Sequence, residues 1–497
     1  MLLDIPSILQ YFFQIIFSNL SLMSSEQRNY VKATVCAILF SHEKKVNMSL
    51  IGTILPKFQR SKSAVSKMFK NSYFHTQEVA WLTVVIFCNL YAKQTPYTNA
   101  SKPWVLIFDT TYRSRFGKLL ENVIKHSGEK TKTPNYAFVW SLLITPSGRR
   151  ICFPCLHWYQ AKYAKKNNLK FHTQPQLASL VLKYFSERLK KIKLEFDLVI
   201  VADSAFDCNL LWKICSNHNK THRTKWTLIT PSGERCFGYD DNQASCIHGK
   251  KIENFMKKVT LGNKKKLNVF KETGIQPRSQ QKLQAKKPGT TLHFYRYAKR
   301  NLIVSGCGKI NVVISYKLKS IHQKTSEAPC KIFLCNNLNL TAEEVICYYN
   351  LRWEVESFFK EQKSYLSFNG FEAWDHRSCY KYVDLLCVTF NFLEFYRTKL
   401  MERFLKEGED NVTEPESPKM DEKSSSKESH KHKTNDTSKK VKKLQWARTK
   451  ELKKYLYKEA FGESLDWMLE RSKTNFGFRR LKKRLKTLDI PVKSLNV

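Results

Sequence analysis

"PWVLIFD", residues 103–109, and "FDLVIVAD", residues 196–203, are two apolar runs that each stop at an aspartate. Short apolar runs of this kind read as strands buried on both faces. Between them lie "YAFVWSLLIT" (136–145), "RICFPCLHW" (150–158) and an amphipathic stretch over 176–192. After them come a helical "CNLLWKICSN" (208–217) and a strand-like "KWTLIT" (225–230). Three strands, a helix, a strand, a helix and a strand describe a mixed α/β sheet. A carboxylate just past a buried strand falls at the sheet's C-terminal edge, where open α/β sheets carry their sites. Asp109 and Asp203 meet that condition. Asp207, Asp240 and Asp241 have no such strand before them, and Asp197 begins its strand at the opposite end.

A third acid comes from "YYNLRWEVESFFKEQK" (348–363), which reads as one helix entered at an N-cap, Thr341, with Glu344 three residues on. At about 100° per residue, Tyr349, Arg352, Glu356 and Lys363 fall on one stripe, joined by Lys360. Leu351, Val355, Phe358 and Phe359 form an apolar face beside it, and Glu354 and Glu361 point elsewhere. Glu356 is thus the carboxylate at the edge of the core, with a tyrosine and three cations along its face.

Composition narrows the partner. The chain has 497 residues, 42% hydrophobic and 13% aromatic, enough for a large core. Its 85 Lys and Arg against 43 acids give a formal net charge of +42, which seeks a polyanion. No run of apolar residues is long enough to span a bilayer, and the apolar opening, broken by Asp4, Gln10 and Gln14, lacks a cationic start and a clean cleavage site. Nucleic acid is therefore the expected partner, with no membrane. The 14 cysteines follow no regular spacing and read as reduced, buried side chains. Cys152 and Cys155, with His157 nearby, lack the second pair that a structural zinc site needs.

The organisation follows. Residues 1–98 are helical; within them a short apolar helix, a break at Pro56 and a Ser61-capped basic helix carrying Lys62 and Lys67 resemble a helix-turn-helix DNA reader. Residues 99–232 and 334–404 form the α/β core. Between them, 233–333 is a β-rich insertion, with fifteen Lys or Arg and two acids between Lys250 and Arg300. Residues 405–445 are polar enough to be a disordered linker, and 446–497 a basic helical tail.

Three carboxylates on neighbouring elements repel one another unless neutralised, and hard oxygen ligands call for Mg²⁺ or Mn²⁺. Such ions activate a water or 3′-hydroxyl against a phosphodiester, and the cationic stripe becomes a phosphate clamp. Here the chain resembles an insertion-sequence DDE transposase of the subclass marked by a YREK signature. Tyr349, two residues, Arg352, three residues, Glu356, six residues and Lys363 match that spacing in full, and "FDTT" and "VADSAFD" stand where the family's first two acids stand.

The resemblance covers roughly 45–400. It implies an RNase H-like core with Asp109, Asp203 and Glu356 as catalytic and metal-binding acids, and a helical N-terminal DNA-binding domain. It implies that Tyr349, Arg352 and Lys363 contact phosphates near the cleaved end. Lys360, Lys62 and Lys67 add expected DNA contacts. The expected partners are terminal inverted repeats and target DNA, with a homodimer in the synaptic complex, in the cytoplasm or a nucleus. The sequence departs from members that cut through a DNA hairpin, since no tryptophan lies between Trp226 and Trp353 to hold a flipped base; Phe270, Phe294, Tyr295 or Tyr297 could stack instead.

Three other readings stay open. One is a domesticated, catalytically silent DNA-binding protein, which the presence of all three acids argues against. A tyrosine recombinase using Tyr349 lacks a recognisable Arg/His constellation. An RNase H-like nuclease or resolvase would not need the stripe or so large an insertion.

Overall fold

The computed structural model describes residues 6–94 (without 22, 42–45 and 56), 102–114, 122, 124–125, 134–232 (without 157), 236–240, 250–275, 294–371 (without 305), 375–410, 449–456 and 459.

 The described residues form two compact units. One draws on Met1–Thr76, Tyr365–Glu372 and Phe392–Val497, the other on Gln77–Ser364 and Ala373–Asn391. The helical segment expected over 1–98 is therefore divided, its last helix grouping with the sheet.

The first unit is helical. It holds α1 (Ser7–Ser18), α2 (Ser25–Phe40), α3 (Met48–Thr53) and α4 (Lys62–Lys70). Ser24 closes a capping box on α2, Asn47 caps α3, and Ser61 caps α4 as its sequence indicates. Val65 and Phe69 bury one face of α4, which leaves Lys62 and Lys67 exposed on the other. Pro56, read as the break between α3 and α4, lies outside the described residues. The turn after α3 instead depends on Gly52. Its carbonyl accepts the Arg60 amide at 2.8 Å, and a Cβ there would stand 2.1 Å from the Arg60 carbonyl oxygen. Gly52→Ala should therefore cost about 1–3 kcal/mol by overpacking, read as a lower melting temperature, whereas Ser49→Ala on exposed α3 surface should change little. In the tail, residues 449–456 are helical, and Lys453 Nζ donates to the carbonyls of Ile38 (2.8 Å) and Tyr365 (3.0 Å). The rest of the expected tail helix, and residues 411–445 of the expected linker, lie outside the described residues.

The second unit is a mixed α/β structure around one sheet, as its run of elements indicates. The strands are β1 (Trp104–Ser114), β2 (Ile124–Lys125), β3 (Pro134–Ile144), β4 (Arg150–Cys152), β5 (Leu198–Ala202) and β6 (Trp226–Pro231). They continue with β7 (Cys236–Asp240), β8 (Lys250–Lys251), β9 (Lys265–Lys266), β10 (Phe294–Val304), β11 (Gly308–Leu318) and β12 (Cys330–Cys335). The helices are α5 (Thr76–Gln94), α6 (Ala161–Lys166), α7 (Gln174–Lys191), α8 (Asn209–Thr221), α9 (Ile252–Met256), α10 (Val269–Thr273), α11 (Ala342–Asn350) and α12 (Trp353–Tyr365). A long helix, α13 (His376–Asp410), gives its first residues to this unit and runs into the stretch expected to be linker.

From one edge the core order is β4-β3-β1-β5-β6, with β1, β5 and β6 parallel and β3 antiparallel to β1. The parallel trio follows from the two crossover segments that carry α7 and α8. The basic insertion is not a separate body. Its hairpin β10–β11 pairs with β12, and β12 pairs with β6, so the sheet continues through it as β6-β12-β11-β10-β7-β8. Asp197 lies at the far end of β5, where its carboxylate accepts the Lys225 amide at 2.7 Å. All the described cysteines are free, and Cys152 and Cys155 are fully buried. His157 lies outside the described residues. No described helix is long and apolar enough to cross a membrane.

Candidate active site

The parallel register between β1 and β5 ends at Phe108↔Ala202, so Asp109 and Asp203 stand side by side where the two strands part. Equivalent positions on parallel neighbours face the same side of a sheet, so both carboxylates leave the same face. Asp203 does follow its strand, and there it caps a short 3₁₀ turn, Ser204–Phe206, by accepting the Ser204 amide. Asp109 does not end its strand. β1 runs on to Ser114 because its pairing with β3 continues to Ser114↔Asn135.

Antiparallel pairing sets Trp140 directly opposite Asp109. Phe358 packs edge-on to that indole with centroids 5.0 Å apart and also against Phe390 at 4.9 Å. Arg150 of β4 pins the same helix through Glu361 at 3.0 Å, a buried ion pair. These contacts lay α12 on the face from which Asp109 projects and bring Glu356 to it. Glu354 and Glu361, read as lying off the apolar face, are both buried.

The stretch 348–363 is not one helix. α11 stops at Asn350, and the amides of Arg352, Glu354 and Val355 bond three residues back rather than four. That tightened turn breaks the stripe. Tyr349 goes inward, its ring 4.6 Å from that of Phe333, and its hydroxyl, pushed up to about 12 by burial, faces Arg352. Arg352 turns to the acids: Nη1 donates to Asp109 Oδ2 and Nη2 to Glu356 Oε1, each at 2.8 Å. Lys363 lines the same cleft, and Lys360 is exposed outside its lining. Lys62 and Lys67 belong to the other unit.

The cleft measures about 540 Å³ and is walled by Asp109, Asp203, Glu356, Arg352 and Lys363. Thr110, Thr111, Tyr112, Asn135 and Phe359 complete it. Asn135 escaped the sequence reading because only the β1–β3 register brings it to β1. Of the aromatic residues read as stacking candidates, Tyr295 and Tyr297 are buried and thereby withdrawn, whereas Phe270 is 54% exposed.

Burial raises the carboxyl pKa of Asp109 and of Glu356, and although Arg352 opposes this, neighbouring acids add to it. Among the described residues no three His, Cys, Asp or Glu side chains are close enough together to share a metal ion; the guanidinium of Arg352 bridges two of the acids instead. Three oxygen-donor acids whose charge one arginine leaves undercompensated nonetheless fit a hard divalent cation.

The raised pKa values fix a sign. Each of the two carboxyls holds its proton more tightly in the folded chain than in the unfolded one. Its contribution to stability is full below the unfolded pKa and is lost as pH rises through the folded one. At neutral pH both charges cost stability. Asp109→Asn should therefore melt no lower than the unmodified chain at pH 7, by about 0–3 °C in its favour, with the difference shrinking towards pH 4. Thermal melts across that range check it.

Fold and site together define a mixed α/β protein with a carboxylate-lined cleft at the end of its parallel strands. No protein-family model matches the chain, and no curated protein is significantly similar to it.

Proposed function

We propose that this chain is a metal-dependent DNA strand-transfer enzyme, a transposase of the DDE kind with an RNase H-like core. One observation carries the reading: Asp109, Asp203 and Glu356, from β1, the end of β5 and α12, line a single cleft in which Arg352 binds two of them. The strand order β4-β3-β1-β5-β6, with one antiparallel member, supports the RNase H-like assignment.

Asp109, Asp203 and Glu356 would hold Mg²⁺ or Mn²⁺, which when bound supplies an activated water or 3′-hydroxyl and stabilises the leaving oxygen of a phosphodiester. The chain's own residues do the rest. Arg352 holds Asp109 and Glu356 close and opposes the rise that burial imposes on their pKa values. Lys363, on the cleft wall, offers its ammonium to a strand phosphate. Tyr349 supports Arg352 from behind. In the helical unit, exposed Lys62 and Lys67 on α4 are suited to backbone contacts beside the groove-reading face. The expected partners remain terminal inverted repeats, target DNA and a second copy of the chain.

The test uses a plasmid carrying the gene with its native flanking DNA. Purified protein with Mg²⁺ should break that plasmid at the element's boundaries and should leave it intact in a chelator. Binding to labelled flank DNA should weaken steeply with salt. Salt-sensitive binding without cleavage in either Mg²⁺ or Mn²⁺ would favour the catalytically silent DNA-binding protein. A flat salt dependence would remove nucleic acid as the partner.

A further inference from the structure

The cleft has a cationic neighbour outside the YREK spacing. Lys331 is the second residue of β12, exposed, with its Nζ 5.2 Å from the centre of the Tyr349 ring. Phe333, two residues on and so on the same face of the strand, packs against that ring with centroids 4.6 Å apart. The Tyr349 ring thus meets Lys331 while its hydroxyl meets Arg352, and the ammonium of Lys331 feels the charges of Arg352, Asp203 and Glu356. Register puts Ser315 of β11 opposite Lys331, and Lys317, two residues along β11, therefore shares its face at the diagonal position.

Both lysines are strained as cations, first by burial, then Lys317 by Lys331 and Lys331 by Arg352. Burial lowers the ammonium pKa of each, and the Lys331 charge lowers that of Lys317 further, with no carboxylate offsetting it there. Neither Nζ has a carboxylate within ion-pairing distance among the described residues. Like charges on adjacent strands cost stability; Asp203 and Glu356 offset part of it at Lys331, and no carboxylate does so at Lys317. An anion laid across them removes that cost.

We propose that Lys331 and Lys317 bind the sugar-phosphate backbone of the strand whose scissile phosphate occupies the acid cleft, extending its grip onto the β11–β12 face of the sheet. The proposal rests on the function proposed above. It gives the basic insertion a specific task, because β11 belongs to that insertion and β12 joins it to the core sheet.

The experiment compares the full chain with Lys317→Met/Lys331→Met and Lys317→Arg/Lys331→Arg, with Asp203→Asn as a separate arm. The probe is labelled duplex from the gene's own flanks. The Met pair should melt at the same temperature or higher, bind more weakly, and lower the log–log salt slope by about 2. Cleavage at saturating DNA should be less affected than cleavage at limiting DNA, and the Arg pair should recover most of the binding. An unchanged slope and affinity in the Met pair, with an unmodified chain that binds and cleaves, overturns this inference and leaves the function standing. If the unmodified chain neither binds nor cleaves, and Asp203→Asn behaves identically, the function falls and the inference with it.

Discussion

Asp109→Asn, Asp203→Asn and Glu356→Gln should each reduce plasmid cleavage by about a thousandfold or more, while binding to flank DNA stays within a few-fold. The size follows from the several kcal/mol that metal-bound charge stabilisation contributes to a phosphodiester reaction. Glu354→Gln is the matched control. It sits two residues from Glu356 but is buried on the other side of α12, so cleavage should persist. Activity lost in Glu354→Gln and kept in Glu356→Gln would overturn the assignment. Because burial raises the carboxyl pKa of Asp109 and Glu356, Asp109→Asn and Glu356→Gln should lose activity without losing stability, which separates a catalytic effect from unfolding.

The second large effect belongs to Arg352. Its two nitrogens serve two carboxylates at once, so Arg352→Ala leaves Asp109 and Glu356 repelling each other in a partly buried cleft. We expect a loss of about 1–3 kcal/mol in stability, discounted from the fully buried case because Glu356 is partly exposed. Cleavage should fall by at least tenfold. Mg²⁺ should raise the melting temperature of Arg352→Ala more than that of the unmodified chain, since a bound cation would replace the missing charge. Arg352→Lys should also fail, because a point charge cannot hold both carboxylates as a planar fork does. Lys363→Ala should impair cleavage more mildly, and Tyr349→Phe should be the mildest. If Arg352→Ala melts and cleaves like the unmodified chain, the ion pairs have no role at the site.

The core strands were legible because each is a dense apolar run bounded by polar residues, and a strand buried on both faces has few other sequence signatures. The parallel neighbours that bring Asp109 beside Asp203 followed from the helices between them. The length of β1 did not. "TTYRS" continues past Asp109 as strand because β3 pairs with it, and pairing is a property of two segments. The break at Leu351 and Arg352 carries no proline or glycine. Helical periodicity alone predicts an unbroken stripe there, yet Tyr349 packs on Phe333 and Arg352 reaches Asp109, and these tertiary contacts accompany a turn tightened to three-residue bonds. The Arg150–Glu361 pair that fixes α12 joins residues 211 positions apart, beyond the reach of any local pattern. In the insertion the runs "TLHFYRYA" and "LIVSGC", read as two strands, fall on the single strand β10, and "INVVISYKL" on β11; β-alternation says nothing about which edge a hairpin will join.

The central claim is that acids from three separate elements form one divalent-cation site. Mn²⁺ binding to the full chain, followed by electron paramagnetic resonance of the free ion, tests it without any need for the correct DNA substrate. The unmodified chain should take up Mn²⁺ at the site. Asp109→Asn, Asp203→Asn and Glu356→Gln should each weaken that uptake at least tenfold, and Glu354→Gln should leave it unchanged. Equal Mn²⁺ binding by the unmodified chain and Asp203→Asn would contradict it.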